Sequence, residues 1–222
     1  MTLMKESNAT FEIAGPAGVL EARFTAAKAD GVLAPLHYSV IICHPHPLHG
    51  GTMDNKVVTT LMRTYRDLGV SAITFNFRGV GASKGEHDHA VGEVDDLLAV
   101  ANWVVKELPH SKLLLAGFSF GSSIAAQACF RLEGVEHLLL VAPPVERYPY
   151  EQAGRFPCSL CVVQGDKDER VNAPGVYAWI QTLSSPVELL RYPDAGHFFH
   201  GGLAQLKEDL SDMLPQQLNR SA

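Results

Sequence analysis

The chain predicts an α/β protein organised around a mostly parallel sheet, and three features of the sequence lead there. Short apolar runs rich in β-formers alternate with longer segments of helical periodicity along its 222 residues. Several of those runs, such as Val40-Ile41-Ile42-Cys43, are apolar at successive positions, as strands buried on both faces require. The intervening segments suit right-handed helical crossovers. The exception is one early pair of runs, joined by Gly15-Pro16-Ala17-Gly18, which reads as an antiparallel hairpin.

The hairpin strands occupy residues 11–13 and 19–24. A strand over 38–43 follows, then a helix over 54–68 closed by Gly69. The next strand, 71–77, leads to a helix over 90–108. Its apolar positions Val91, Val94, Leu97, Leu98, Ala101, Val104, Val105 and Leu108 recur at helical spacing until Pro109 stops it. A strand at 113–116, a helix at 121–132 and a strand at 137–141 continue the alternation. A strand at 160–163, a helix near 176–183 and a strand at 187–192 complete it, and Leu203, Leu206, Leu210 and Leu214 mark a closing amphipathic helix. No repeat or long linker divides the chain, so 1–222 reads as a single domain with a substantial core. The longest irregular stretch, 143–157, is long enough to cover a site, which the sequence does not decide, and too short for a separate cap.

Composition narrows the function. Lysine and arginine total 18 against 24 acidic residues, a net charge of −6, so neither a nucleic-acid footprint nor a polybasic membrane patch is expected. No apolar run approaches the ~20 residues of a membrane span, and residues 1–15 lack the pattern of a secretory leader. Cys43, Cys129 and Cys161 fall in apolar segments, where a thiol is a small hydrophobe. Cys158 and Cys161 form a C-x-x-C pair within a strand, which points their side chains to opposite faces and disfavours both a disulfide and a shared metal. A cytoplasmic, reduced protein is expected.

The chemistry is concentrated in Gly117-Phe118-Ser119-Phe120-Gly121, a G-x-S-x-G match. The pattern is unspecific alone, but here a strand precedes it and a helix follows. A nucleophile elbow needs that strand-to-helix turn, with glycines where Cβ atoms would collide. A serine hydroxyl becomes nucleophilic when a base takes its proton and a carboxylate orients the base. Two residues follow Ser119 in the order such a fold uses, each just beyond a strand: Asp168, in Gln164–Val171, and His197, in Pro193–Phe199. Asp166 competes with Asp168, but lies closer to its strand and suits bracing the turn through an Asx-type bond. Asp194 is near His197 but outside that order.

An oxyanion hole needs two donors. One is expected from the backbone N–H of Phe120, after the nucleophile, and the other from the loop His44-Pro-His-Pro-Leu-His-Gly-Gly51. Pro45 and Pro47 have no N–H, which leaves His46 as the second donor. The same loop supports a rival reading, because His44-x-His46-x-x-His49 approximates a binuclear metallohydrolase run, and His87 and His89 would add ligands. Leu48 stands where that run carries an acid ligand, so no metal or other cofactor is expected.

Five segments in order resemble the α/β-hydrolase superfamily: the histidine loop at 44–51, Phe75-Asn-Phe-Arg-Gly-Val-Gly-Ala-Ser83, 117–121, 165–171 and 195–199. The chain is similar to its small capless bacterial members of the dienelactone-hydrolase-like type. The resemblance implies a mostly parallel eight-stranded sheet, assigns Ser119, Asp168 and His197 to a triad, and makes Arg78 part of a structural turn. Dienelactone hydrolases use a cysteine nucleophile, so Ser119 points away from that activity.

Together these readings give a serine hydrolase acting on a small-molecule carboxylic ester, or a thioester, through an acyl-enzyme. Peptidase and acyltransferase chemistry are alternatives within the class. A binding protein that keeps the fold without turnover is the alternative outside it. Tyr148, Tyr150, Phe198 and Phe199 are candidates to line an acyl pocket. The natural substrate and oligomeric state are not legible.

Overall fold

A computed structural model describes residues 10–150 and 154–219. Residues 1–9, which bear on the leader reading, and 151–153, inside the 143–157 stretch, lie outside the described residues.

The strands are β1 (Thr10–Gly15), β2 (Gly18–Thr25), β3 (Tyr38–Cys43), β4 (Ser71–Phe75), β5 (Lys112–Phe118), β6 (Val135–Val141), β7 (Ser159–Gly165) and β8 (Val187–Tyr192). Among the described residues they form one eight-stranded sheet in the order β1-β2-β4-β3-β5-β6-β7-β8. The β1–β2 hairpin is antiparallel, β2 joins β4 antiparallel, and every pairing from β4 through β8 is parallel. The helices are α1 (Lys56–Leu68), α2 (Gly92–Glu107), α3 (Phe120–Cys129), α4 (Ala173–Thr182) and α5 (Leu203–Leu218).

The central strands alternate their side chains between two apolar layers. Ile41, Leu113, Leu115, Leu138 and Val162 pack with residues of α2, α3 and α4, while Val40, Ile42, Leu114, Leu139 and Val163 pack with α1 and α5. Helices on both faces are why these runs are apolar throughout instead of alternating with polar residues. The same alternation separates the C-x-x-C pair, with Cys158 against the first layer and Cys161 in the second. No separate cap domain is present among the described residues.

Element edges shift for local reasons. α1 starts at Lys56 because the Asn55 side chain caps it, accepting from Val57 N at 2.9 Å. α2 starts two residues late because His89 and Ala90 adopt positive φ, with the Ala90 N–H held by the Glu93 carboxylate. β4 ends at Phe75: the Asn76 N–H still reaches the Glu21 carbonyl of β2, but the Phe77 N–H leaves the sheet for the His44 ring. α3 runs from Phe120 to Cys129, earlier than the expected 121–132, and α5 extends past Pro215 to Leu218.

Candidate active site

The carboxyl ends of β3, β5, β7 and β8 deliver the site, on either side of the point where strand order reverses between β3 and β5. Ser119 occupies the single residue between β5 and α3. Its backbone has φ 53° and ψ −120°, a conformation that tilts its side chain out of both elements. Its N–H is tied to the Val141 carbonyl of β6 at 2.8 Å. Glycine is needed at both flanks: a Cβ at Gly117 would collide with the Gly121 carbonyl, and one at Gly121 with the Cys43 and His44 carbonyls.

The three residues singled out in the sequence meet. His197 Nε2 lies 3.0 Å from Ser119 Oγ, and His197 Nδ1 lies 2.8 Å from Asp168 Oδ2. The imidazole is 2% exposed and is packed between the rings of Phe118 and Phe198. Asp168 turns its other oxygen into its own loop, accepting from Arg170 N and Val171 N at 2.8 Å each. Burial opposes ionisation of this carboxyl, but bonds from His197 and from those two N–H groups outweigh it and hold Asp168 below the usual carboxylate range.

The two aspartates therefore divide differently than expected. Asp168 makes the Asx-type bonds of its turn as well as facing His197, whereas Asp166 reaches sideways to Tyr177 of α4 and Arg191 of β8. Asp166 is a strap that ties the end of β7 to α4 and β8. Asp194 pairs with Lys167 at the surface, not with His197.

His46 has φ −51° and ψ 121°, the extended form that a following proline favours. Among the described residues, neither its main-chain N–H nor that of Phe120 is given to a protein acceptor. The His46 ring is otherwise occupied: Nδ1 accepts from Leu48 N, and the ring stacks on His49 at 4.5 Å and packs on Phe120 and His87. Burial, with the neighbouring His49 and His87, pushes its pKa down to about 4.

His44 is buried with both nitrogens engaged, one on the Pro45 carbonyl at 2.6 Å and the other accepting from Phe77 N at 3.0 Å. That ring braces β3 against the 76–78 turn. Among the described residues no group of three or more histidine, cysteine or acidic side chains is arranged to hold a metal ion. Arg78 is likewise structural: its guanidinium binds Asp96 at 2.8 Å and the Gly92 carbonyl at 2.7 Å.

Ser119 and His197 open onto a cavity of about 300 Å³ that His46, Phe120, Tyr148 and Phe198 also line. Tyr150 and Phe199 do not line it. Tyr150 is buried with its hydroxyl 2.7 Å from Ser122 Oγ, and Phe199 is buried in the layer under α5. Sequence reading missed four participants. Ser122, held by Tyr150, donates back to the Ser119 carbonyl and braces the elbow. Glu169 accepts the His197 N–H at 3.1 Å and fixes the loop that carries the imidazole. Arg147 and Arg170 stand at the cavity edge. Glu169 and Arg170 lie in the segment around Asp168, but nothing in the local pattern tells which of its charges turn inward.

A strained serine between a parallel strand and a helix, facing a histidine held by a carboxylate, defines an α/β hydrolase. A family model described as the alpha/beta hydrolase fold matches residues 40–147. The structure is similar to an alpha-beta serine hydrolase homologue from Coxiella burnetii, with TM-score 0.88 and 44% identity over 93% of this chain and 97% of that one. It is also similar to a serine hydrolase without a lid from Xanthomonas campestris, with TM-score 0.87 and 39% identity over 95% of this chain and 94% of that one. An uncharacterized protein of Rickettsia prowazekii is 35% identical over 209 residues, 90% of this chain and 86% of its own length. The chain belongs to the α/β-hydrolase superfamily, in its small capless form, and that membership supports hydrolase activity.

Proposed function

We propose that this protein cleaves small-molecule carboxylic esters, or thioesters, through a Ser119–His197–Asp168 triad and an acyl-enzyme intermediate. The observation that carries the proposal is the continuous relay from Ser119 Oγ to His197 Nε2 and from His197 Nδ1 to Asp168 Oδ2, opening onto the cavity.

Ser119 Oγ attacks the substrate carbonyl carbon while His197 Nε2 takes the hydroxyl proton. Asp168 keeps the Nδ1–H tautomer in place and stabilises the imidazolium, remaining ionised itself. The new oxyanion lies against the Phe120 N–H, at the positive end of α3, and against the His46 N–H. The carbonyl re-forms, the carbon–oxygen or carbon–sulfur bond to the leaving group breaks, and His197 returns the proton to the leaving group. Water then repeats the cycle on the acyl-serine, releasing the carboxylic acid. A cytoplasmic setting, supported by the free buried thiols of Cys43, Cys129 and Cys161, belongs to the same proposal. No described helix is long and apolar enough to cross a membrane.

The test is a fluorophosphonate probe with mass spectrometry of the adduct. One equivalent should attach at Ser119, and Ser119→Ala should lower kcat by ~10⁴-fold or more. Labelling of a different serine in a folded Ser119→Ala protein overturns the assignment. A parent protein that takes no label and turns over no ester favours binding without chemistry.

A further inference from the structure

The chain is acidic, at −6, yet two unpaired arginines stand at the edge of the Ser119 cavity. Arg23, Arg66, Arg78, Arg131 and Arg191 each sit on an aspartate, and Arg63 and Arg155, which form no ion pair among the described residues, lie away from the cavity. Among the described residues Arg147 and Arg170 have no carboxylate partner. They are nevertheless held in place. Arg147 Nη2 donates to the Arg170 carbonyl at 2.9 Å, which joins the segment after β6 to the loop after β7. The Arg170 guanidinium lies 5.3 Å from the centre of the Phe198 ring, and Phe198 directly follows His197. Both charges are thus anchored to the loops that carry Asp168 and His197.

One carboxylate shares this wall. Glu169 also lines the cavity, its Oε2 accepting the main-chain N–H of His197, and Glu146 and Asp168 join it along the adjoining hollow, yet among the described residues none of these carboxylates forms an ion pair with either guanidinium. A guanidinium that already gives part of its fork to structure still presents N–H donors to a carboxylate or phosphate.

We propose that the substrates of this site are esters or thioesters bearing an anionic group, a carboxylate or a phosphate, which Arg147 and Arg170 bind. This rests on the hydrolase reading for its chemistry, but the charge selection is a property of the cavity alone. The arginines act in substrate binding and orientation, not in the bond-breaking steps.

The experiment therefore separates binding from turnover. Calorimetry on Ser119→Ala compares two matched pairs, one for each end of the ester. For the acyl side the pair is monoethyl glutarate and ethyl pentanoate; for the leaving-group side it is 2-acetoxyethyl phosphate and butyl acetate. In at least one pair the anionic member should bind on the order of 10-fold tighter at low ionic strength, with the advantage shrinking as salt is raised. Adding Arg147→Gln and Arg170→Gln should erase that advantage, and lysine at both positions should restore part of it. Both side chains are exposed, so circular dichroism should match the parent, with only a small fall in melting from loss of the Arg147 tie and the Arg170–Phe198 contact. Equal binding within both pairs, or an advantage that survives the double glutamine change, overturns the proposal. If the parent shows charge selection but no turnover and no fluorophosphonate label, the hydrolase reading fails and the anion site stands. If it turns over both members of each pair equally well, the hydrolase reading stands and the anion site fails.

Discussion

Asp168→Asn separates orientation of the histidine from support of the loop. The two carboxylate oxygens of Asp168 have different jobs: Oδ1 accepts from Arg170 N and Val171 N, and Oδ2 faces His197 Nδ1. An asparagine keeps its amide oxygen on the two loop N–H groups, because no other acceptor satisfies them. Its NH₂ group then faces His197 Nδ1 at the former 2.8 Å contact. A donor in that position requires Nδ1 to be the acceptor, so the proton moves to Nε2, the nitrogen that must accept from Ser119. The cost is the wrong tautomer together with loss of the anion behind the imidazolium. The expected fall in kcat is ~10³–10⁴-fold, equivalent to about 4–5.5 kcal/mol of transition-state stabilisation. Stability should fall by only about 1 kcal/mol, since the loop bonds survive. Asp168→Ala removes all four hydrogen bonds of the side chain, including the one its Oδ2 accepts from Gln164 Nε2 at 3.3 Å, and should be less stable than Asp168→Asn at comparable activity. Steady-state hydrolysis of a chromogenic ester, with urea unfolding of the three proteins, provides both numbers. A folded Asp168→Asn with kcat within about three-fold of the parent would refute the tautomer argument and the triad assignment with it.

Three further outcomes are expected. Asp166→Asn should loosen the strap to Arg191 and Tyr177, lowering the melting temperature modestly while leaving kcat near the parental value; loss of turnover in a folded protein would place Asp166 in the chemistry instead. His46→Ala keeps the main-chain N–H and most of the activity, whereas a folded His46→Pro should lose on the order of 10²–10³ in kcat; full activity of the proline variant would move the second oxyanion donor elsewhere. His137, buried on β6 against Gln217, has its pKa pushed down to about 4, so the folded protein refuses a proton that the unfolded chain accepts at about 6.5. Its stabilising contribution is complete above about pH 6.5 and is lost as pH falls toward 4, amounting to about 2 kcal/mol between pH 6.5 and 5. Urea unfolding at those two pH values should show a smaller acid loss in a folded His137→Gln, and an unchanged loss would rule out His137 as a source.

The sequence by itself determined the layered α/β architecture, the early hairpin, and the order of Ser119, Asp168 and His197 along the chain. These are local signals. Strand and helix periods are written in consecutive residues, and an elbow such as 117–121 must carry its glycines in place because the backbone passes too close for Cβ atoms. What only tertiary structure decided was which of several similar side chains face one another. Asp166 and Asp168 both sit beyond β7, and two residues of loop curvature send one to Arg191 and the other to His197. Tyr148 and Tyr150 are equivalent as sequence, but one lines the cavity and the other is buried against Ser122. His44 and His46 differ in the same way. The His44 ring goes inward to the Phe77 N–H, while His46 stays beside Phe120 with its backbone N–H uncommitted. A side chain's direction beyond the end of a strand depends on backbone angles in the following loop, and those are set by packing against loops that are distant in sequence. The contact between Arg147 and the Arg170 carbonyl spans 23 positions, and no pattern of period two or 3.6 encodes it.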